Sequence, residues 1–412
     1  MLIGYDRTEI EFTPEKGRVI GVFEPNPIKA ERTGAEAVEY ALDHPIGDVK
    51  LEEKVRPGQK TVIIASDITR PMPSAVALPP IADRLRPAGV EYSDITVVFG
   101  LGSHRKHTEE EKKYLAGDLY GKVECIDSDP DDTVRLGVTA AGTPVDIFRR
   151  VAEADFVIAT GNIEYHYFAG YSGGAKAIMP GVSTPEAIQC NHKMMTMPGS
   201  YAGNIMSPVR QDIEEAAAML GVDYILNAVL DEHKRIVYAV AGDVTAAHRE
   251  GVKFLDGLYR IPITRRADIV VVSAGGYPKD QNMYQAQKAL DNAKHAVRPG
   301  GTVIWLAGCK EGTGSARFEE WMTSYTPDEM IENIKKKFML GAHKAAAVAM
   351  VMKKADIYLV SELDGAFVEK MGFKPFVSLD EAYAAAIARH GENASVYIMP
   401  YGGSTLPIYE GE

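Results

Sequence analysis

Residues 60–71 read KTVIIASDITRP, a run of β-branched and apolar residues that passes directly into a charged loop. The same pattern recurs as DITVVFGLGSHR at residues 94–105 and as ADFVIATGNIEYH at residues 154–166. Short apolar runs of this kind are typical of strands that are buried on both faces of a parallel sheet. Because helical patterns lie between the runs, the sequence predicts an α/β fold built on mainly parallel sheets.

The second half of the chain repeats this alternation. Its strand patterns are ADIVVVSAGGYP (267–278), GGTVIWLAGC (300–309), ADIYLVSEL (355–363) and ASVYIMPYGG (394–403). Between the halves, residues 258–267 contain a proline and three arginines, which is typical of a domain boundary. We therefore predict two Rossmann-like α/β domains, residues 1–262 and 266–399, with the tail at about residues 400–412 packing back on the first.

Several helix ends are also marked in the sequence. Ser207 and Pro208 predict the start of a helix that Gly221 ends, because proline suits the first turn and glycine tolerates a left-handed exit. Thr326 has a glutamate three residues later, which is the spacing of a capping box, and Gly341 is the predicted end of that helix.

Composition and charge exclude several classes of protein. The 412 residues are 46% hydrophobic and 25% charged, which is average for a globular protein and excludes a disordered, collagenous or coiled-coil chain. Lys and Arg number 45 against 57 Asp and Glu. The resulting formal net charge of −12 disfavours binding to nucleic acid or to an anionic membrane.

The cysteines and the N-terminus bear on the compartment. Cys125, Cys190 and Cys309 are widely spaced and odd in number, so neither a disulfide framework nor a thiolate zinc site is predicted. The first residues lack a basic region followed by an apolar core, and no stretch approaches the roughly 18 apolar residues of a membrane span. We expect a soluble, cytoplasmic protein.

Reactive side chains gather in the loops that follow the first three strand patterns, where ligands bind in open α/β sheets. Asp67 and Arg70 follow the first strand, and His104 follows the second. Arg70 has the planar fork that suits a carboxylate, although a loop arginine paired with Asp67 is an equally open reading. His104 follows Gly-Leu-Gly, but the next residue is Arg105, so the dinucleotide pattern G-x-G-x-x-G is not met.

The third loop, HYFAGYSGGAK at residues 166–176, is the most informative stretch. Its glycines, Gly173 and Gly174, precede Lys176, but the G-K-[ST] of a P-loop is absent and an NTPase is disfavoured. A lysine among glycines and apolar residues is a candidate for a depressed pKa and for covalent bonding, with a solvated surface lysine as the alternative. His192 follows shortly after, without a second histidine at zinc spacing.

In the second half, Asp280 is the predicted cap of a helix with a polar face. Gln281, Tyr284, Gln285 and Lys288 recur at helical spacing, opposite an apolar face. Such a face is either merely solvated or directed into a cleft, and both readings stay open.

Together, the motifs SDITRP, GSHR, HYFAGYSGGAK, the later NH and GGYPKDQNMYQAQK resemble the nickel-dependent lactate racemase family. The resemblance extends from Asp67 to Lys288 and, more loosely, to MPYGG near the end. Its most specific part is the spacing of His166, Lys176 and His192.

The resemblance implies a cofactor. Members of the family carry a nickel pincer, a pyridinium-3,5-bis(thio)carboxylate-type mononucleotide that is tethered to a lysine through a thioamide. Carried over by motif, Lys176 is the tether and His192 the protein ligand to nickel, a position that a neutral imidazole suits. Gly173 and Gly174 would let the cofactor approach closely. The enzymes that build the cofactor are then expected partners.

The resemblance also implies a reaction, the inversion of C2 of a 2-hydroxy acid by reversible hydride transfer to the pyridinium ring. His104 and His166 are the implied pair of bases, one for each enantiomer. Arg70 would hold the carboxylate, and Lys288 and Gln285 the substrate oxygens. Asp67 and Tyr284 would line the pocket, which is expected in the cleft between the two domains.

One segment departs from the family pattern. Lactate-acting members have a tryptophan in the second domain, whereas the corresponding segment here reads GAHKA at residues 341–345, and the chain's tryptophans are Trp305 and Trp321. This departure favours a larger, polyhydroxy or second-carboxylate substrate contacted by His343 or Lys344.

Two other functions stay open at this point. A metal-free Schiff-base enzyme would use Lys176 to condense with a keto acid, but it would leave His192 and the two bases without a role. A non-catalytic protein could use the same cleft to bind a nucleotide-like or carboxylate ligand. A homo-oligomer is compatible with the sequence, which does not reveal the assembly.

Overall fold

The computed structural model describes residues 1–27, 30–231 and 233–411. The chain divides into two compact units. The central unit is Ile28–Gly257, and the terminal unit joins Met1–Pro27 to Leu258–Glu412. Each is an α/β structure around a large sheet, so the predicted fold class is confirmed.

The central unit is built on a six-stranded sheet in the order β13-β12-β9-β4-β5-β6, parallel except for β13. Numbered in chain order, its strands are β4 (Thr61–Ser66), β5 (Ile95–Gly100), β6 (Glu124–Asp127), β9 (Phe156–Ile163), β12 (Tyr224–Leu230) and β13 (Ile236–Gly242). Two hairpins accompany it, β7 (Thr133–Val138) with β8 (Pro144–Phe148), and β10 (Tyr165–His166) with β11 (Gly170–Tyr171).

The helices of the central unit cover the sheet and bury its apolar runs. They are α1 (Gly34–Asp43), α2 (Leu51–Lys54), α3 (Ser74–Leu85), α4 (Glu109–Ala116), α5 (Arg149–Ala152), α6 (Pro185–His192), α7 (Pro208–Leu220) and α8 (Ala246–Tyr259). Every residue of β9 is buried, as expected for a strand covered on both faces.

The terminal unit has a parallel six-stranded sheet in the order β18-β17-β16-β15-β19-β3. The strands of the whole unit are β1 (Leu2–Tyr5), β2 (Thr8–Glu11), β3 (Arg18–Val22), β14 (Arg260–Ile263), β15 (Ala267–Ser273), β16 (Val297–Leu306), β17 (Asp356–Val360), β18 (Lys374–Phe376), β19 (Ser395–Met399) and β20 (Leu406–Tyr409). Outside the large sheet, β1 pairs with β2, and β14 pairs with β20. Its helices are α9 (Met283–Ala293), α10 (Ala316–Ser324), α11 (Pro327–Lys336), α12 (Ala342–Met352), α13 (Gly365–Lys370) and α14 (Leu379–His390).

The units differ from the division predicted at residues 1–262 and 266–399. Residues 1–27 belong with the second half, because β3 pairs in parallel with β19 at the edge of its sheet. The tail from about residue 400 pairs through β20 with β14, and both strands lie in the terminal unit. A strand's pairing partner is a tertiary property, so the local pattern could not assign these segments.

The predicted helix ends are partly confirmed. Gly221 ends α7 in the left-handed conformation, and Thr326 forms a capping box at the start of α11. Gly341 does not end that helix, because α11 stops at Lys336. Gly341 instead precedes α12 with a φ of +88°.

The strand order creates a topological switch point in each sheet. In the central unit, β4 lies between β5 and β9, and the chain winds outward from it on both sides. In the terminal unit, β15 lies between β16 and β19 in the same way. The loops that leave the carboxyl ends of β4, β9, β15 and β19 therefore carry the expected ligand-binding positions. Among the described residues, no helix has the length and apolar character needed to cross a lipid bilayer.

Gly402, in the loop after β19, tests the packing at the terminal switch point. A Cβ there would overlap Cγ2 of Val272 and lie 2.9 Å from the carbonyl oxygen of Ser273. We expect Gly402→Ala to lower the free energy of unfolding by about 1–3 kcal/mol, measured by urea denaturation. Gly365→Ala is the control, because its Cβ would meet nothing nearer than 3.7 Å. Equal stability of the two variants would contradict this packing.

Candidate active site

The loop after β4 gathers three of the predicted residues. The carboxylate of Asp67 is buried, and its Oδ1 accepts a hydrogen bond from the backbone N–H of Thr69 (2.8 Å). Its Oδ2 lies 3.2 Å from Nδ1 of His104 and 3.6 Å from Nε of Arg70. Burial raises the pKa of Asp67, but the hydrogen bond from His104 and the charge of Arg70 outweigh it and lower the pKa to about 2. Asp67 is therefore an anion at neutral pH.

His107 supports this loop and was not singled out from the sequence. Its Nε2 accepts a hydrogen bond from the backbone N–H of Ile68 (3.0 Å), and its Nδ1 lies 2.6 Å from Oδ1 of Asp127. A backbone N–H can only donate, so the proton of the neutral ring is on Nδ1 and points to Asp127. A histidine three residues after His104 was the available signal.

Three of the predicted residues surround the ring of Phe168. Sequence reasoning did not single out Phe168 itself. The rings of His166 and His192 lie 4.5 Å and 5.0 Å from it, both edge to face. Nζ of Lys176 lies 5.9 Å from the ring centre. Phe168 itself is buried. His166, Lys176 and His192, whose spacing was the most specific part of the resemblance, thus surround one aromatic side chain.

The glycine-rich loop before Lys176 is held by side chains from three elements. Arg210 of α7 donates to the carbonyl of Gly173 (3.2 Å) and to those of Tyr171 and Ser172. His248 of α8 lies 2.8 Å from the Ser172 carbonyl oxygen. Asn227 of β12 accepts from the N–H of Gly174 (2.6 Å).

The packing requires glycine at both positions of this loop. A Cβ on Gly173 would lie 2.8 Å from Oδ1 of Asn227, and one on Gly174 would lie 2.9 Å from Cδ2 of His248. Both have a positive φ, +73° and +56°, which L side chains rarely adopt. The side chains of Arg210, Asn227 and His248 therefore fix the backbone that leads into Lys176.

The environment of Lys176 favours its neutral amine. Burial lowers its pKa well below the usual value, and the charges of Arg210 and Arg70 lower it further, while Glu164 raises it. The charge of Arg70 therefore acts on both Asp67 and Lys176. A lysine with these neighbours is suited to covalent bonding, as predicted from its flanking residues.

His192, the last residue of α6, has its ring oriented by Asn191. The amide nitrogen of Asn191 donates to the carbonyl of Val209 (3.1 Å) and to Oδ2 of Asp212 (2.7 Å). Its Oδ1 therefore faces Nδ1 of His192, at 2.9 Å. Because Oδ1 can only accept, Nδ1 of His192 carries the proton and Nε2 carries the lone pair. Within the described residues, no group of three His, Cys, Asp or Glu side chains could hold a metal ion.

The hairpin that carries His166 is tied to α8. The hydroxyls of Tyr165 and Tyr171 each donate to Oδ1 of Asp256 at 2.9 Å. Within the hairpin, Nδ1 of His166 accepts from the N–H of Ala169 (3.3 Å). Asp256 was another residue that the sequence did not indicate, since it lies 91 residues after Tyr165 in the chain.

In the terminal unit, α9 has the polar face predicted for it, with Gln285 and Lys288 exposed and Tyr284 half-buried. The prediction that Asp280 caps this helix was wrong. Asn282 caps the helix by accepting from the N–H of Gln285 (3.0 Å). The carboxylate of Asp280 instead accepts from the backbone N–H groups of Asp6 and Gly308.

His343 and Lys344 lie in the first turn of α12, and both are buried. Nζ of Lys344 donates to the carbonyl of Tyr284 (2.5 Å) and lies 4.0 Å from the centre of its ring. Burial, with the charge of Lys344, lowers the pKa of His343 to about 3. Trp305 and Trp321 are buried in β16 and α10.

Residues 5–203 match the lactate racemase N-terminal domain, and residues 263–406 match the lactate racemase C-terminal domain. The chain belongs to the lactate racemase family. It is 35% identical over 380 residues to the lactate racemase of Lactiplantibacillus plantarum, covering 89% of each protein. It is 30% identical over 419 residues to that of Thermoanaerobacterium thermosaccharolyticum, covering 98% of each.

Solved structures agree with this family. The lactate racemase apoprotein of T. thermosaccharolyticum matches with a TM-score of 0.90 and 29% identity, covering 99% of both chains. A protein from Thermotoga maritima matches with a TM-score of 0.64 over 91% of this chain and 98% of its own. At 19% identity, the second likeness concerns the fold alone.

The tie between the His166 hairpin and α8 can be tested with Asp256→Ala. Loss of the acceptor leaves the hydroxyls of Tyr165 and Tyr171 without their carboxylate, which should cost about 1–3 kcal/mol of unfolding free energy. We also expect faster hydrogen exchange at residues 165–171, measured by mass spectrometry. Lys253→Ala, an exposed position on α8, is the control. Unchanged exchange in the Asp256 variant would contradict the role of this carboxylate.

Proposed function

We propose that this protein is a racemase or epimerase that inverts C2 of a 2-hydroxy acid, with lactate as the first substrate to test. The observation that carries the proposal is the grouping of His166, Lys176 and His192 around Phe168, beside the Asp67–His104 pair. The curated relatives named lactate racemase support the substrate. We further propose that the reaction depends on a nickel-pincer nucleotide.

The residues present fit such a cofactor. Lys176 has an amine whose environment favours the uncharged form that a covalent tether needs. His192 has the tautomer whose Nε2 lone pair can coordinate a metal. Gly173 and Gly174 present backbone where a side chain would overlap the protein. When bound, the nickel-pincer nucleotide would supply an acceptor for the C2 hydride, because that hydrogen is not acidic enough for ordinary base catalysis.

The chain's own residues would handle the proton of the substrate hydroxyl. With Nδ1 of His104 against the Asp67 carboxylate, the lone pair of the neutral ring is on Nε2, which can take that proton. The anion of Asp67 would stabilise the imidazolium that results, as in other His–Asp pairs. His166 would be the corresponding base for the opposite enantiomer. To accept a proton at Nε2, its neutral ring must carry its own proton on Nδ1, so the 3.3 Å hydrogen bond from the Ala169 N–H would have to open.

Other residues would bind and orient the substrate. Arg70 has a half-exposed guanidinium whose planar fork suits a carboxylate. Asp67 would line the pocket in the central unit. For Lys288 and Gln285, exposed on α9, we propose contacts with the substrate oxygens, with Tyr284 beside them in sequence. Because Lys344 lies against Tyr284, larger 2-hydroxy acids or acids with a second carboxylate are the next substrates to screen.

The deciding experiment produces the protein together with nickel and the cofactor-building enzymes, which we propose as its partners in the cell. We expect an intact-mass adduct on Lys176, near-equimolar nickel and racemisation of lactate or a larger 2-hydroxy acid, followed by chiral chromatography. Lys176→Ala should abolish the adduct, whereas Lys193→Ala, at an exposed neighbouring position, should keep it.

Other outcomes would refute this function. An unmodified chain without nickel, under conditions that load a lactate racemase, would contradict the proposal. A borohydride-trapped substrate adduct without nickel would favour the Schiff-base lysine enzyme. Stoichiometric binding by the loaded protein, without isotope exchange at C2, would favour a non-catalytic ligand-binding protein.

The two-base scheme makes a separate prediction. His104→Ala and His166→Ala should each keep the nickel and the adduct but lower the racemisation rate by about 10²- to 10⁴-fold, because each removes one proton acceptor. The control is His44→Ala, at an exposed position in the central unit. Wild-type racemisation by either histidine variant would exclude a base at that position.

A further inference from the structure

Arg210 is an arginine with no exposed surface. Its guanidinium donates to the carbonyls of Tyr171, Ser172 and Gly173, and its Nε has no hydrogen-bond partner within the part of the chain that the structure describes. Backbone carbonyls are dipoles without net charge, so these bonds satisfy donors on Nη1 and Nη2 but do not neutralise the positive charge. Burial lowers the pKa of Arg210 to about 10. Because this pKa is well above 7, Arg210 is still charged at neutral pH.

One carboxylate lies near this charge, but it is shared. Oε1 of Glu214 lies 3.8 Å from Nη1 of Arg210, whereas Oε2 of Glu214 lies 2.8 Å from Nη2 of Arg249. Arg210 and Glu214 lie on α7, and Arg249 lies on α8. The positive charges thus exceed the negative charge in this part of the central unit, and the low dielectric of the interior extends their reach.

This charge acts on Lys176, three residues after Gly173 on the loop that Arg210 holds. Its charged neighbours come from three elements: Arg210 from α7, Arg70 from the loop after β4, and Glu164 from the end of β9. His248 of α8 adds no charge, because burial lowers its pKa well below the usual value. Arg210 is the largest of the charge effects that lower the pKa of Lys176.

We propose that Arg210 is a positioning residue that prepares Lys176 in two ways: its fork holds the backbone of residues 171–173, and its positive charge, which Glu214 offsets only in part, favours the neutral amine. An amine must lose its proton before its nitrogen can form a bond to carbon. The inference rests on the proposed function and deepens it, because it names the residue that makes the tethering lysine reactive.

The test is the reactivity of Lys176 in the full-length protein from a host that does not make the cofactor. Lys176 keeps part of its surface accessible, so a small reagent can reach it. Brief pulses of acetic anhydride over a range of pH, with each lysine quantified by mass spectrometry, give the rate for Lys176 relative to the exposed Lys113.

Two charge-removing variants of α7 should shift this rate in opposite directions. Arg210→Gln removes the positive charge, so the amine holds its proton to higher pH and acetylation at about pH 8 should slow by about tenfold. Glu214→Gln removes the compensating negative charge, so acetylation should accelerate at the same pH. Arg150→Gln is the matched control, because its exposed guanidinium pairs with Glu124 on β6.

A purely structural role predicts a different pattern. Loosening of the loop would shift the Lys176 rate in the same direction in both variants, and either that result or an unchanged rate in Arg210→Gln would overturn the inference. If circular dichroism shows that Arg210→Gln does not fold, a slower or unchanged rate in Glu214→Gln overturns it. Since no cofactor is present, the outcome does not depend on nickel. A protein that fails to load nickel would refute the proposed function without altering these rates.

Discussion

A glycine-rich loop buried in a protein must find hydrogen-bond partners for its own backbone, and the arrangement of the central unit follows from that constraint. Between Tyr171 and Gly174, the partners are side chains of Arg210, Asn227 and His248, which come from α7, β12 and α8. These elements can meet the loop only because β9 lies beside β12, with the helices packed on the same sheet. The backbone that precedes Lys176 is therefore held by the fold and not by local sequence.

The electrostatics of the site run against the charge of the whole molecule. The chain has a formal net charge of −12, yet the neighbourhood of Lys176 contains Arg70 and Arg210 with Glu164 as the opposing charge. This local excess favours a neutral lysine and suits an anionic ligand. Nearby, the buried anion of Asp67 lies 3.2 Å from Nδ1 of His104. The two groups therefore have charged neighbours of opposite sign, arginines for Lys176 and a carboxylate for His104.

The two histidines proposed as bases are held differently. His104 lies against a carboxylate, and the loop of that carboxylate is anchored through His107 and Asp127. His166 lies in a short hairpin whose tyrosines bond to Asp256, and its Nδ1 is engaged by a backbone N–H. The partner of His104 is a charged carboxylate, whereas the partner of His166 is an uncharged backbone N–H. The surroundings therefore differ even though the proposed reaction treats the two enantiomers alike.

The sequence by itself determined the α/β class, the strands around 61–66, 95–100 and 156–163, and the loops that hold Asp67, His104 and Lys176. Apolar runs and glycine clusters are local signals that need no knowledge of the partner strand. It could not show that residues 1–27 join the second half, that Asn282 and not Asp280 caps α9, or that Gly341 begins a helix. Arg210 and Asp256 were also invisible, because their importance depends on what they contact across long chain separations. Tertiary structure alone decided these features, since hydrogen bonding and desolvation act between neighbours in space, whichever part of the chain supplies them.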